Sequence, residues 1–176
     1  MSLQFDEFIS KKLETIPEKS YEDEKTVWLA HLDELYQTTA SYLKNYVDKK
    51  QITIEYKDVM LYEEQLGSYE AKSQIITIGK DKITLNPIGT FLIGAKGRVE
   101  ISGKRGEAAL VLVDNESKGP RVTARVSALG QAKPIEEKVQ REVIWTWKYV
   151  TYAQGISFHE LTEEQFLDII MTLIDG

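Results

Sequence analysis

Between Trp28 and Val47, Trp28, Leu32, Leu35, Tyr36, Thr39, Tyr42, Leu43, Tyr46 and Val47 recur three or four residues apart, and just after Lys50 the spacing drops to two. This change of period constrains the chain more than any other feature. A 3.6-residue repeat lays one stripe along a helix, whereas a two-residue repeat sends alternate side chains to opposite faces of a strand. The first pattern predicts a helix of roughly 40 Å at about 1.5 Å per residue. Ser20 fits its N-cap, Glu22, Asp23 and Glu24 suit the positive end of its dipole, and Asp48-Lys49-Lys50 marks its stop. Ahead of it, Phe5, Phe8, Ile9, Leu13 and Ile16 predict a shorter amphipathic helix over 3–16, ended by Pro17.

Beyond Lys50, Ile52, Ile54 and Tyr56 alternate with Thr53, Glu55 and Lys57, and Val59 and Leu61 resume one residue out of step. That slip predicts a bulge near Lys57-Asp58. A hairpin follows across Gly79-Lys80-Asp81, and a second joins 98–102 to 107–113 across Gly103-Lys104-Arg105-Gly106. Phe91-Leu92-Ile93 and 121–128 read as further short strands, and the polar stretch 130–140 as a mobile segment. Over 141–152 both alternating faces are apolar, which describes a central strand. Thr162-Glu163-Glu164-Gln165 is a capping box that opens a last helix with Phe166, Leu167, Ile170, Leu173 and Ile174 inward. Helices at the ends and strands joined in sequence by short turns define an α+β fold. The expected architecture is one domain over 1–176, a meander of about six antiparallel strands with the long helix across one face.

Composition closes off several chemistries. The 176 residues include no cysteine, which excludes disulfides, Cys-ligated zinc and thiol catalysis. It also fits a reducing cytoplasm, the expected location. Asp6 and Glu7 stand where an export signal carries basic residues, and no apolar run approaches the ~20 residues of a membrane span. The net charge of -6 is unevenly spread: residues 1–78 carry -6, 79–125 carry +4 and 126–176 carry -4. The middle of the chain is a basic island between acidic segments.

No motif specifies a reaction. The stretch from Gly89 to Gly106 is glycine-rich, but its lysine stands before Gly97 rather than before Ser or Thr, and strand pattern follows it. It lacks the register of a phosphate-binding loop and the helix of a dinucleotide fingerprint, so its glycines are assigned to β-turns and a bulge. His31 has Val27 and Leu35 one turn away and only Glu34 as a partner, and His159 stands alone before the last helix, so no metal and no cofactor is expected. The adjacent carboxylates Glu63-Glu64, Glu136-Glu137 and Glu163-Glu164 form no ready acid/base pair, since neighbours on a strand point apart.

Two residue sets remain. Lys96, Arg98, Lys104, Arg105, Lys118, Arg121 and Arg125 are candidates for an anion- or nucleic-acid-binding patch, provided that they converge at one end of the sheet. Phe91 is the only aromatic among them, which weakens the nucleic-acid reading. Trp145, Trp147 and Tyr149 are candidates for a protein interface, set against the plainer reading that they fill the core. The leading expectation is a non-catalytic accessory protein that binds itself, as a homodimer, or another protein. The alternative is a ligand-binding or enzymatic pocket between the sheet and the long helix.

Overall fold

The periodic segment after Ser20 forms the long helix. In the computed structural model, α1 spans Leu3–Glu14 and α2 spans Tyr21–Asp48. Seven strands follow: β1 (Ile52–Glu63), β2 (Gly67–Ile78), β3 (Asp81–Gly89), β4 (Gly97–Gly103), β5 (Gly106–Asp114), β6 (Trp145–Thr151) and β7 (Ser157–Glu160). The chain then ends in α3, Glu163–Asp175. The structure describes residues 3–14, 21–90, 95–120 and 142–176, with the side chains of residues 3, 4 and 11–14 excepted. The expected N-cap at Ser20, the helical end at Ile16, the short strands at 91–93 and 121–128 and the segment 130–140 lie outside them.

Every strand pairs antiparallel with its sequence neighbour, in the order β1-β2-β3-β4-β5-β6-β7. The α+β meander is therefore present, with seven strands among the described residues where about six were expected. Sequence alternation does not foresee β7, because its four residues are too short for a period of two to show.

Where α2 ends, the N–H of Lys50 bonds to the Val47 carbonyl at 2.9 Å and that of Gln51 to Tyr46 at 2.9 Å. This pair of bonds is a Schellman cap, and it holds Lys50 at φ 60. A left-handed conformation at a non-glycine residue costs about 1 kcal/mol. Lys50→Gly is accordingly expected to stabilise the protein by roughly 0.5–1 kcal/mol, read as a higher urea midpoint. A lower midpoint would show that Lys50 contributes more through its side chain than its backbone costs.

The expected bulge at Lys57-Asp58 is absent. β1 and β2 pair without a register shift from Ile52↔Ile78 to Glu63↔Gly67. The face turned to the core nevertheless changes phase in both strands, with Ser73 and Gln74 both buried. Twist of the hairpin achieves what an inserted residue was expected to do. β2 pairs with β3 only from Gln74 to Ile78. Where the two strands part, the Tyr36 hydroxyl from α2 reaches the carbonyls of Lys72 at 2.5 Å and Leu85 at 3.3 Å. A register shift does occur between Pro87 and Gly89, where β3 meets β4.

The main core lies on one face of the sheet. Trp28, Leu32, Leu35, Tyr36 and Leu43 of α2 and Phe166, Ile170, Leu173 and Ile174 of α3 bury Ile76, Ile83, Leu85, Val99, Ile101, Leu110, Leu112 and Trp147. Thr162 caps α3 by accepting from the Gln165 N–H at 3.2 Å, as the capping box predicted. On the opposite face, Ala109, Val111, Val113, Val150 and Phe158 form a second, smaller cluster. With apolar packing on both faces and a partner on each side, β6 has the character expected of a central strand.

Candidate functional site

Among the described residues, the basic set is split between the two ends of β4. Lys96 and Arg98 stand at the start of β4, and Lys104 and Arg105 follow its end. Seven strand residues at about 3.3 Å each hold the two pairs roughly 20 Å apart. Lys104 pairs with Asp81 at 3.1 Å. The Arg105 guanidinium lies beside Gly176, the C-cap of α3, where a cation suits the negative end of the helix dipole. Lys96 sets its ammonium 4.8 Å from the centre of the Trp145 ring. Arg121 and Arg125 lie outside the described residues, and Lys118 lies at the rim of a separate recess.

The aromatic set divides. Trp147 is buried, packs on Trp28 with ring centres 6.0 Å apart, and donates its indole N–H to the His31 carbonyl at 2.9 Å. Its ring belongs to the core. Trp145 and Tyr149 are half-buried, and Tyr149 stacks on His159 at 5.0 Å. His159 Nε2 also meets the Thr151 hydroxyl at 2.9 Å, which fixes the ring in place.

Lys148 went unnoticed in the sequence because it stands in an aromatic strand between Trp147 and Tyr149. It is 5% exposed, and its ammonium donates to the carbonyls of Asn115 at 2.6 Å and Ser117 at 2.8 Å. Among the described residues no carboxylate comes within 4.0 Å of it. Cross-strand register sets Arg98, Val111, Lys148 and Glu160 in one row across β4 to β7. Lys148 borders a recess of about 500 Å³ with Lys118, His159, Glu116 and Glu160 on its walls.

A smaller recess of about 230 Å³ lies between α2 and β6, lined among others by Glu34, Thr38, Tyr42, Trp145 and Trp147. The Tyr42 hydroxyl donates to the Leu161 carbonyl at 3.2 Å. Burial raises the Tyr42 pKa, and the negative charge of Glu163 adds to the effect.

Two other tyrosines are held neutral. Burial raises the Tyr36 pKa well above its ordinary value, with Asp33 and Tyr56 adding to it. Burial also raises that of Tyr69, which donates a short hydrogen bond to Glu63. The same carboxylate accepts from the Thr90 N–H at 2.9 Å and hydroxyl at 2.8 Å, so it ties the β1–β2 turn to the end of β3. Because both phenols bind their proton more tightly when folded, their stabilisation is complete below pH 10 and falls as pH rises above it. Each adds a slope of up to about 1.4 kcal/mol per pH unit. Urea unfolding at pH 9, 10 and 11 is expected to show this loss, and Tyr36→Phe to make the decline shallower. An equal decline in the variant would remove Tyr36 from the account.

Among the described residues no three His, Asp or Glu side chains are grouped to hold a metal ion, and no helix is long and apolar enough to cross a membrane. The chain matches no protein-family model, and no curated protein or solved structure shows significant similarity to it.

Proposed function

We propose that the chain is a non-catalytic protein-interaction module that assembles through α1. One observation carries the reading: Phe5, Phe8 and Ile9 are 62%, 53% and 40% exposed on a single short helix, with the two phenyl rings stacked 6.2 Å apart. Their spacing makes one apolar stripe, and a largely exposed apolar stripe is a usual mark of an interaction helix. The face of the sheet beneath α2, by contrast, is packed by the core cluster.

A second copy is the partner the charge pattern favours. The acidic segment 1–78 and the basic segment 79–125 are complementary, and a copy can set one against the other. A homodimer in a reducing cytoplasm, where a cysteine-free chain has nothing to lose, belongs to the same proposal. Light scattering across a concentration series tests it. The expected result is a mass that rises toward twice the chain mass, and a variant with Phe5, Phe8 and Ile9 all changed to Ser that remains a monomer. Equal masses for the two proteins at every concentration would sink the reading.

A further inference from the structure

We infer that the recess between α2 and β6 binds an organic ammonium group. Among the described residues Glu34, whose carboxylate also lies 3.3 Å from His31 Nδ1, is the only charged side chain on its wall, and Tyr42, Trp145 and Trp147 supply aromatic surface. Aromatic faces attract cations through the ring quadrupole, tryptophan most strongly, and recognition of methylated ammonium groups uses this combination of rings and negative charge.

The hydrogen-bond donors around the recess argue the same way. The Tyr42 hydroxyl is committed to the Leu161 carbonyl, the Trp147 N–H to the His31 carbonyl, and the Thr38 hydroxyl to the Glu34 carbonyl at 2.9 Å. An anion would meet a carboxylate and find three of the wall's donors already used, leaving the Trp145 N–H and the Thr146 hydroxyl. A cation needs none of them. The protein itself shows that Trp145 accepts an ammonium, because Lys96 sits over its ring. Lys96 does not line the recess, so the surface of the indole that faces the recess stays available. At about 230 Å³ the space holds one small substituted ammonium group rather than a nucleotide or a folded segment. The inference stands apart from assembly through α1, none of whose described side chains lines this recess.

Two sources present this chemistry: a free methylated amine, and a lysine side chain of another protein. The test follows the indole N–H resonances of the ¹⁵N-labelled full chain. Tetramethylammonium chloride and N-acetyl-lysine methylamide are titrated separately, against sodium chloride at matched ionic strength. The expected result is a saturable shift of the Trp145 and Trp147 signals that sodium chloride does not produce. Trp145→Leu is expected to weaken binding about tenfold, with Trp147 still reporting. Glu34→Gln, a near-isosteric change on the exposed side of α2, is expected to weaken it about threefold and guards against a folding defect in the first variant. Tighter binding of tetramethylammonium assigns the site to a methylated amine, and tighter binding of the lysine amide assigns it to a protein side chain. The inference is overturned if both probes act only as sodium chloride does, or if Glu34→Gln leaves their affinities unchanged.

Discussion

Gly97→Ala is expected to destabilise the protein by about 3 kcal/mol, at the upper end of what overpacking costs. Gly97 lies buried in β4, and a methyl group there would sit 2.2 Å from Cζ3 and 2.6 Å from Cε3 of Trp28. Neither side has room to yield. The Trp28 ring is fully buried between β4 and Trp147, with the two indole ring centres 6.0 Å apart. Urea unfolding of Gly97→Ala, Trp28→Leu and the double variant separates the steric cause from any loss of strand geometry. The alanine penalty should shrink by well over 1 kcal/mol once the indole is gone. An unchanged penalty in the Trp28→Leu background would mean that the contact with Trp28 is not what excludes a side chain at Gly97.

That glycine also marks how far the sequence could be read. The glycines between Gly89 and Gly106 were assigned to turns and a bulge, and Gly89 and Gly106, at φ 147 and φ 149, follow that assignment. Gly97 does not. It is glycine because an indole from a helix some seventy residues earlier lies flat against it, and no local pattern records so distant a contact. Gly103 is similar, since a methyl group there would meet the Leu173 carbonyl of α3 at 2.6 Å. What was legible is what depends on period and on capping chemistry: α2, the meander, and the Thr162 cap of α3. The β1–β2 twist was misread as a bulge, because a phase change in alternation looks the same whether a residue is inserted or the hairpin turns over. The spread of the described basic residues was hidden for a different reason. Sequence proximity along 96–105 becomes the full length of a strand, which separates Lys96 from Arg105.

Lys148→Met is expected to cost about 2–3 kcal/mol. The loss does not come from the charge itself, whose burial is unfavourable, but from what is left behind. Two carbonyls, of Asn115 and Ser117, lose the one donor among the described residues that reaches both, and an acceptor left unpaired in the buried setting of Ser117 costs more than its bond contributed. Methionine fills nearly the same volume, so the experiment isolates hydrogen bonding from packing. Urea midpoints of the two proteins should differ clearly with equal slopes, because the change acts on the folded state alone. A neutral result would show that desolvation of the ammonium cancels its bonds, and the turn at 114–117 would then need another anchor.

Both variants concern the scaffold, whereas the proposed assembly surface is α1. The most direct test is hydrogen–deuterium exchange of the unmodified protein at low and high concentration. The account predicts that amides within Leu3–Glu14 gain protection as concentration rises, while those of β2 to β5 exchange at the same slow rate throughout. Exchange in α1 that stays fast and independent of concentration would contradict it, and would remove α1 as the assembly surface.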